Sequence, residues 1–221
     1  MKRLVIMTLA LLICAGTPAL ATPTVEFSPN PDTGGSWEYD GASILSFNQN
    51  IAVDAGMGSN YDNLVGSLVH IPTLIVGAGA GGTYEVKPIG SPTISITSAD
   101  NSAVYLLGTL AGGDLVPVGT IAGGYTCFKA DIGNLVVTDA GKALGSAALN
   151  MILYTQTPGL DFELSLQGGS GTNYRSFAQM LAGGYAGGNG FSGAMSIPEP
   201  TTIALLGLGS LTLLRKRRLK A

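Results

Sequence analysis

The chain has 221 residues, 33 of them glycine, with 46% hydrophobic and 11% charged residues and a formal net charge of −3. This composition is the opposite of that of disordered chains, and its excess of glycine over lysine and glutamate favours short strands over helices. Residues 22–200 hold all 14 acidic residues but only four of the 11 basic ones, a formal charge of −10. This middle therefore lacks the basic surface that nucleic-acid binding requires.

Residues 1–21 predict a secretory signal peptide. Lys2 and Arg3 give a positive start, and an apolar run of 12 residues follows at 4–15. Ala19 and Ala21 then supply the small residues that signal peptidase accepts, so we expect cleavage after Ala21. The apolar run is shorter than the roughly 20 residues of a membrane-spanning helix, which argues against a retained N-terminal anchor.

Residues 22–196 are expected to form one exported, mainly β domain: an antiparallel β-sandwich or jelly-roll-like fold with one or two short helices. The prediction rests on strand candidates spaced by about 8–12 residues with turn-forming residues between them. Polar and apolar residues alternate strictly at 93–97 and 162–166, the pattern of half-buried strands. Helices are predicted at 140–149 and 174–181. The predicted strands are 43–47, 50–53, 64–71, 83–87, 93–97, 103–107, 115–121, 125–130, 134–138, 150–155, 162–166 and, after a glycine-rich loop at 183–190, 191–197.

Trp37 and Tyr39 are candidate ligand-stacking residues. Trp37 is the only tryptophan, and the two aromatic rings are separated by one residue. Such rings stack on sugars in carbohydrate-binding modules, while packing into a core is the alternative for large aromatic side chains.

The residues that carry most enzyme chemistry are scarce. His70 is the only histidine and Cys127 the only cysteine beyond the signal peptide. A three-histidine metal site is therefore excluded, a Cys–His dyad is formally possible, and any Ser–His triad would have to use His70. Both residues fit ordinary strand positions better. Residues 77–82 match the G-x-G-x-x-G spacing, but a β-type run comes next where a dinucleotide site needs a helix. We expect neither enzymatic activity nor a cofactor.

An acidic stretch is the one pattern that suggests a metal ion. Residues 54–62 follow the pattern Asp-x-Gly-x-Gly-x-Asn-x-Asp, which places oxygen ligands at alternating positions, loosely like a calcium loop. Val65 stands where an EF-hand has its bidentate glutamate. Solvated turns explain these acids better, and a structural Ca²⁺ site elsewhere in the domain is left open.

The last segment, residues 197–221, combines three features in a fixed order. Pro198, Glu199 and Pro200 come first, an uncharged apolar stretch lies at 201–214, and a basic cluster closes it. The cluster consists of Arg215, Lys216, Arg217 and Arg218. A helix of 14 residues reaches about 21 Å, and bases that come after an apolar stretch mark the cytoplasmic side of a membrane. We therefore expect a C-terminal hydrophobic helix that holds the protein in the membrane with residues 22–200 outside.

This tail resembles the PEP-CTERM sorting signal of Gram-negative bacteria. The resemblance implies processing by an exosortase at or near the Pro-Glu-Pro, after signal peptidase has acted, and export alongside exopolysaccharide in biofilm-forming cells. The same kind of tail is also described as an "ice-binding protein C-terminal" region, a label that implies no ice-binding activity.

Together, these features predict a protein exported across the inner membrane, transiently membrane-anchored, and finally at the cell surface or outside the cell. A non-catalytic structural or adhesive role linked to exopolysaccharide or biofilm is expected, with a carbohydrate- or surface-binding β-sandwich module as the alternative.

Overall fold

The computed structural model describes residues 23–29, 36–48, 51–77, 82–118, 125–155, 159–167 and 177–198. All of them except Pro198 belong to a compact unit, Pro23–Ile197. The predicted signal peptide with Ala19 and Ala21, the residues Glu199 and Pro200, the apolar stretch 201–214 and the basic cluster lie outside the described residues. In the described parts of the chain, no helix has the length and apolar character needed to cross a membrane.

Strands dominate the described residues, which confirms the mainly β class. The strands are β1 (Pro23–Pro29), β2 (Trp37–Tyr39), β3 (Ile44–Phe47), β4 (Ile51–Gly56), β5 (Leu68–His70), β6 (Leu74–Val76), β7 (Tyr84–Pro88), β8 (Thr93–Thr97), β9 (Val104–Val118), β10 (Tyr125–Val137), β11 (Gly159–Leu166), β12 (Gly187–Asn189) and β13 (Phe191–Ser196). The helices are α1 (Asp139–Ala143), α2 (Ala147–Thr155) and α3 (Phe177–Gly183).

Eight of these strands form a closed antiparallel barrel. The order is β9, β10, β11, β13, β1, β4, β5 and β8, and β8 pairs again with β9. The predicted sandwich or jelly roll requires two facing open sheets, whereas these strands join into one continuous ring. The prediction of a sandwich or jelly roll is therefore corrected to a closed barrel, while the mainly β class stands.

A second group of strands extends from the barrel along β9. The first part of β9 pairs with β8, and Gly113–Leu115 pairs with β7, beyond which β6, β3, β2 and β12 lie in order. The sequence predicts a turn at 112–114 and separate strands on either side, but β9 runs straight through. A Cβ on Gly113 would collide with the backbone oxygen of Lys129, so glycine here permits close approach of two strands rather than a turn.

The barrel interior is explained by the alternation seen in the sequence. Ile94 and Ile96 of β8 point inward and are buried, as are the apolar residues of β11. Phe162 is buried too, and its ring centroid is 5.9 Å from those of both Phe27 and Phe128. The inner space bounded by Ile94, Ile96, Leu106, Ile132 and Met195 leaves no room for a water molecule. Side chains therefore fill this part of the barrel.

The helices agree only partly with the sequence. The helix predicted at 174–181 is confirmed as α3 from Phe177 onward, and residues 174–176 lie outside the described residues. The helix predicted at 140–149 appears as α1 and the start of α2. The strand predicted at 150–155 is wrong, because these residues complete α2, which buries Ala148, Leu149 and Ile152 at helical spacing. The expected loop at 183–190 contains β12, which pairs with β2.

Candidate functional site

The two ends of the described unit meet at one edge of the barrel. Pro23 of β1 pairs with Ser196 of β13, and the backbone N–H of Ile197 donates a hydrogen bond of 3.3 Å to Thr24 Oγ1. On its other side Ser196 pairs with Asp161 of β11. We call Pro23, Thr24, Ser196 and Ile197 the junction, because the chain enters and leaves the barrel there.

Trp37 and Tyr39 are brought together by the structure, but inside the core. Trp37 is 1% exposed and its Nε1–H donates to the Gly190 carbonyl oxygen at 3.1 Å. Tyr39 is 3% exposed and its hydroxyl donates to the Ala42 carbonyl oxygen at 2.8 Å. Both rings pack on Phe177 of α3, at centroid distances of 4.8 and 5.4 Å. The stacking hypothesis is corrected accordingly: neither ring has an open face for a ligand.

Two other tyrosines have the exposure that Trp37 and Tyr39 lack. Tyr61 is 89% exposed and Tyr154, on α2, is 88% exposed. Tyr154 shares one face of α2 with Asn150 and Met151, which are exposed too, and this helix carries no charge. We call Tyr61, Asn150, Met151 and Tyr154 the tyrosine surface.

Asp62 connects the two parts of the tyrosine surface. Its Oδ2 accepts hydrogen bonds from the N–H groups of Ala147 and Ala148, at 2.8 and 3.2 Å, and its Oδ1 accepts one from Leu64 at 2.8 Å. The first bonds satisfy the start of α2, whose backbone donors have no partners within the helix. The loop that carries Tyr61 is thus held against the first turn of α2, whose last turn carries Tyr154. Sequence reasoning missed this surface, because the exposure of a tyrosine is not visible in a strand or loop pattern.

The candidate catalytic residues do not form a dyad. His70 Nε2 is hydrogen-bonded to Thr97 Oγ1 and Asn101 Oδ1, at 2.9 Å each. The Cys127 thiol donates to Glu163 Oε1 at 3.1 Å. Burial and this hydrogen bond raise the pKa of Cys127 to about 12. The thiol therefore stays protonated near neutral pH, where a nucleophilic cysteine needs a thiolate.

The sequence patterns that loosely resemble a calcium loop and a dinucleotide-binding loop have other structural roles. Asp62 uses its carboxylate on backbone donors, and the described residues contain no group of three or more His, Cys, Asp or Glu side chains placed to hold a metal ion. The stretch around residues 77–82 lies between β6 and β7, which are paired antiparallel strands. A strand therefore comes next where a dinucleotide site has a helix.

A family model identifies the segment that begins at the end of β13. The model of the PEP-CTERM protein-sorting motif matches residues 196–218. The chain therefore carries a PEP-CTERM protein-sorting signal. The motif implies an exported protein of the cell envelope or surface that an exosortase processes. No curated protein and no solved structure matches the chain.

The sorting motif starts on a strand of the barrel wall. The first matched residue, Ser196, is also the last residue of β13 and is paired on both sides. The folded unit and the matched segment therefore share Ser196 and Ile197.

Two carboxylates lie beside this junction. Asp131 and Asp161 are directly opposite each other on β10 and β11. Desolvation and the charge of Asp131 raise the pKa of Asp161. Like charges directly opposite each other destabilise a sheet, although water screens an exposed pair.

Asp161→Asn should stabilise the protein by on the order of a few tenths of a kcal/mol at pH 7. A raised folded-state pKa means that the contribution of Asp161 to stability is fully present below its unfolded pKa and is lost as pH rises through the folded value. The advantage of the variant should consequently vanish below about pH 4. Urea unfolding of the wild type and the variant at about pH 3.5 and at pH 7 measures this difference in stability. An equal advantage of Asp161→Asn at both pH values would contradict repulsion from Asp131 as its cause.

Proposed function

We propose that this exosortase-processed protein is a non-catalytic adhesive protein of the cell surface or extracellular matrix of a Gram-negative bacterium. Residues 201–214 would hold it in the inner membrane until the sorting signal is processed. Its role would be linked to exopolysaccharide and so to biofilm. The sorting motif supports the proposed localisation, and the tyrosine surface is the observation that supports the adhesive role.

The tyrosine surface suits contact with a neutral polymer. Tyrosine gives a large contact area for a small loss of conformational entropy, since its side chain has few rotatable bonds. The hydrogen bonds of Asp62 fix the loop and the helix that present the two rings. The formal charge of −10 in residues 22–200 disfavours acidic polysaccharides through repulsion. An uncharged exopolysaccharide is therefore the preferred partner.

A carbohydrate-binding module is the second candidate function, and the same surface supports it. Sugar rings stack on exposed aromatic rings, and the tyrosine surface offers two of them together with the Asn150 amide. A module recognises a defined glycan, whereas an adhesive protein needs only a surface, so the two candidates differ in selectivity.

The test is a double variant, Tyr61→Ala with Tyr154→Ala, in the exported and processed protein. We expect retention on cells that carry exopolysaccharide to fall about tenfold, which corresponds to roughly 1.4 kcal/mol. Val136→Ala is the matched control, because it removes an exposed apolar side chain elsewhere, on β10. Undiminished retention of the double variant would refute the adhesive surface.

A glycan array with the same proteins separates the two candidates. Binding to a few defined glycans that the double variant loses would establish the module. If the protein is retained on cells but binds no particular glycan on the array, the adhesive role is favoured.

A further inference from the structure

The junction puts the processing region directly against a closed sheet. Ser196 is held between β1 and β11, so β13 is an inner strand of the barrel. Its inward side chains are anchored as well, since Met195 is buried. A Cβ on Gly193 would collide with the ring of Phe27, so the β1 core packs closely on this strand.

This arrangement limits what a processing enzyme can reach. Enzymes that cut or transfer a peptide bind an extended segment, and they commonly do so through its backbone hydrogen-bonding groups. Those groups are already used in β13 up to Ser196. Pro198 is exposed, so the accessible chain begins within two residues of the last paired one. Upstream residues become available only when the end of β13 separates from both neighbours.

Thr24 closes this end of the barrel. It is 1% exposed, and its hydroxyl accepts the hydrogen bond from the Ile197 N–H, one residue past the strand. The Thr24 carbonyl oxygen in turn accepts a hydrogen bond from the Met57 N–H at 2.9 Å. Thr24 is therefore held by the loop after β4 and holds the first residue outside β13.

We propose that Thr24 is a positioning residue for exosortase processing: its bond to Ile197 keeps the end of β13 in the sheet and so limits the rate at which the sorting signal is processed. The proposal rests on the exosortase assignment. Processing then depends on local opening of the junction, which is an equilibrium separate from unfolding of the whole barrel.

The experiment tracks conversion of the full-length precursor to the processed form by pulse-chase in a host with an exosortase. Thr24→Val keeps the shape of the side chain but removes the acceptor, so we expect processing about three- to tenfold faster. A Gly-Ser spacer of about six residues between Ile197 and Pro198 adds roughly 14 Å of flexible chain, and it should accelerate processing at least as much.

Two control variants separate positioning from general stability. Thr24→Ser retains the hydroxyl and should be processed at the wild-type rate. Val86→Ala removes two buried methyl groups on β7, outside the ring of eight strands, and should lower the melting temperature without accelerating processing. Wild-type rates for both Thr24→Val and the spacer would overturn the proposal. So would acceleration by Val86→Ala equal to that by Thr24→Val. If the wild type itself were not processed, the exosortase assignment would fail, and the proposal with it.

Discussion

Phe162→Ala should lower the free energy of unfolding by about 3–5 kcal/mol, the usual cost of removing a fully buried phenylalanine ring. Phe162 is 1% exposed and lies between Phe27 and Phe128. Ring contacts of this kind add stability beyond the area they bury. A loss of this size removes a large part of the stability of an ordinary domain, which is about 5–15 kcal/mol. Urea unfolding of the processed protein measures the change.

Tyr154→Ala provides the comparison for this variant. It also removes an aromatic ring, but one that is 88% exposed, so the free energy of unfolding should change by less than about 0.5 kcal/mol. If Phe162→Ala cost no more than Tyr154→Ala, Phe162 could not be part of a filled barrel interior.

The barrel interior is the part of the fold that the sequence predicts best. Thr93 to Thr97 and Phe162 to Leu166 alternate in the sequence, and their apolar residues point inward in the structure. Alternation is a local consequence of strand geometry, so it needs no knowledge of the partner strand. It does not say which strands are neighbours, and closure of the ring was therefore not predicted.

The errors arise where distant residues decide a local structure. The stretch from Asn150 to Thr155 has β-type residues, yet α2 forms because Asp62 and Ser146 satisfy the N–H groups at its start. Asp62 is 85 residues away from Ala147. Gly113 likewise has the composition of a turn, but its position against Lys129 of β10 keeps it inside a strand.

The candidate site divides in the same way. The sorting signal is a linear motif, so Pro198 and the residues after it identify it from sequence alone. The junction is not linear: Thr24 and Ile197 are 173 residues apart, and only the order of the strands brings them together. Trp37 is predicted to stack on a ligand because large aromatic rings often do so. Its burial depends on α3 and on Gly190, and neither is close to it in sequence.

Asp62→Ala is expected to lower the free energy of unfolding by about 2–3 kcal/mol, because it leaves the N–H groups of Leu64, Ala147 and Ala148 without their acceptor. The same substitution should reduce retention on exopolysaccharide-bearing cells while both tyrosines are still present. It releases the loop of Tyr61 from α2, so the two rings no longer have a fixed arrangement.

The contribution of Asp62 should also depend on pH in a definite direction. Desolvation raises its pKa, but hydrogen bonds from the Ser146 side chain and from the backbone of Leu64, Ala148 and Ala147 outweigh this and lower the pKa overall. A lowered folded-state pKa means that the stabilisation is fully present above the unfolded pKa, near 3.9, and is lost as pH falls through the folded value. The stability difference between the wild type and Asp62→Asn should therefore be constant between about pH 5 and 7 and decrease below about pH 4.

Asp139→Asn is the matched control for this measurement. Asp139 is an exposed carboxylate that pairs with Lys142 at 2.9 Å within α1, and exposed ion pairs contribute little to stability. Its substitution should alter neither retention nor unfolding measurably. If Asp62→Ala weakened folding but left retention unchanged, the two tyrosines would act independently of each other. A loss of retention in Asp62→Ala with both rings still present would show that binding depends on their fixed arrangement as well as on their exposure.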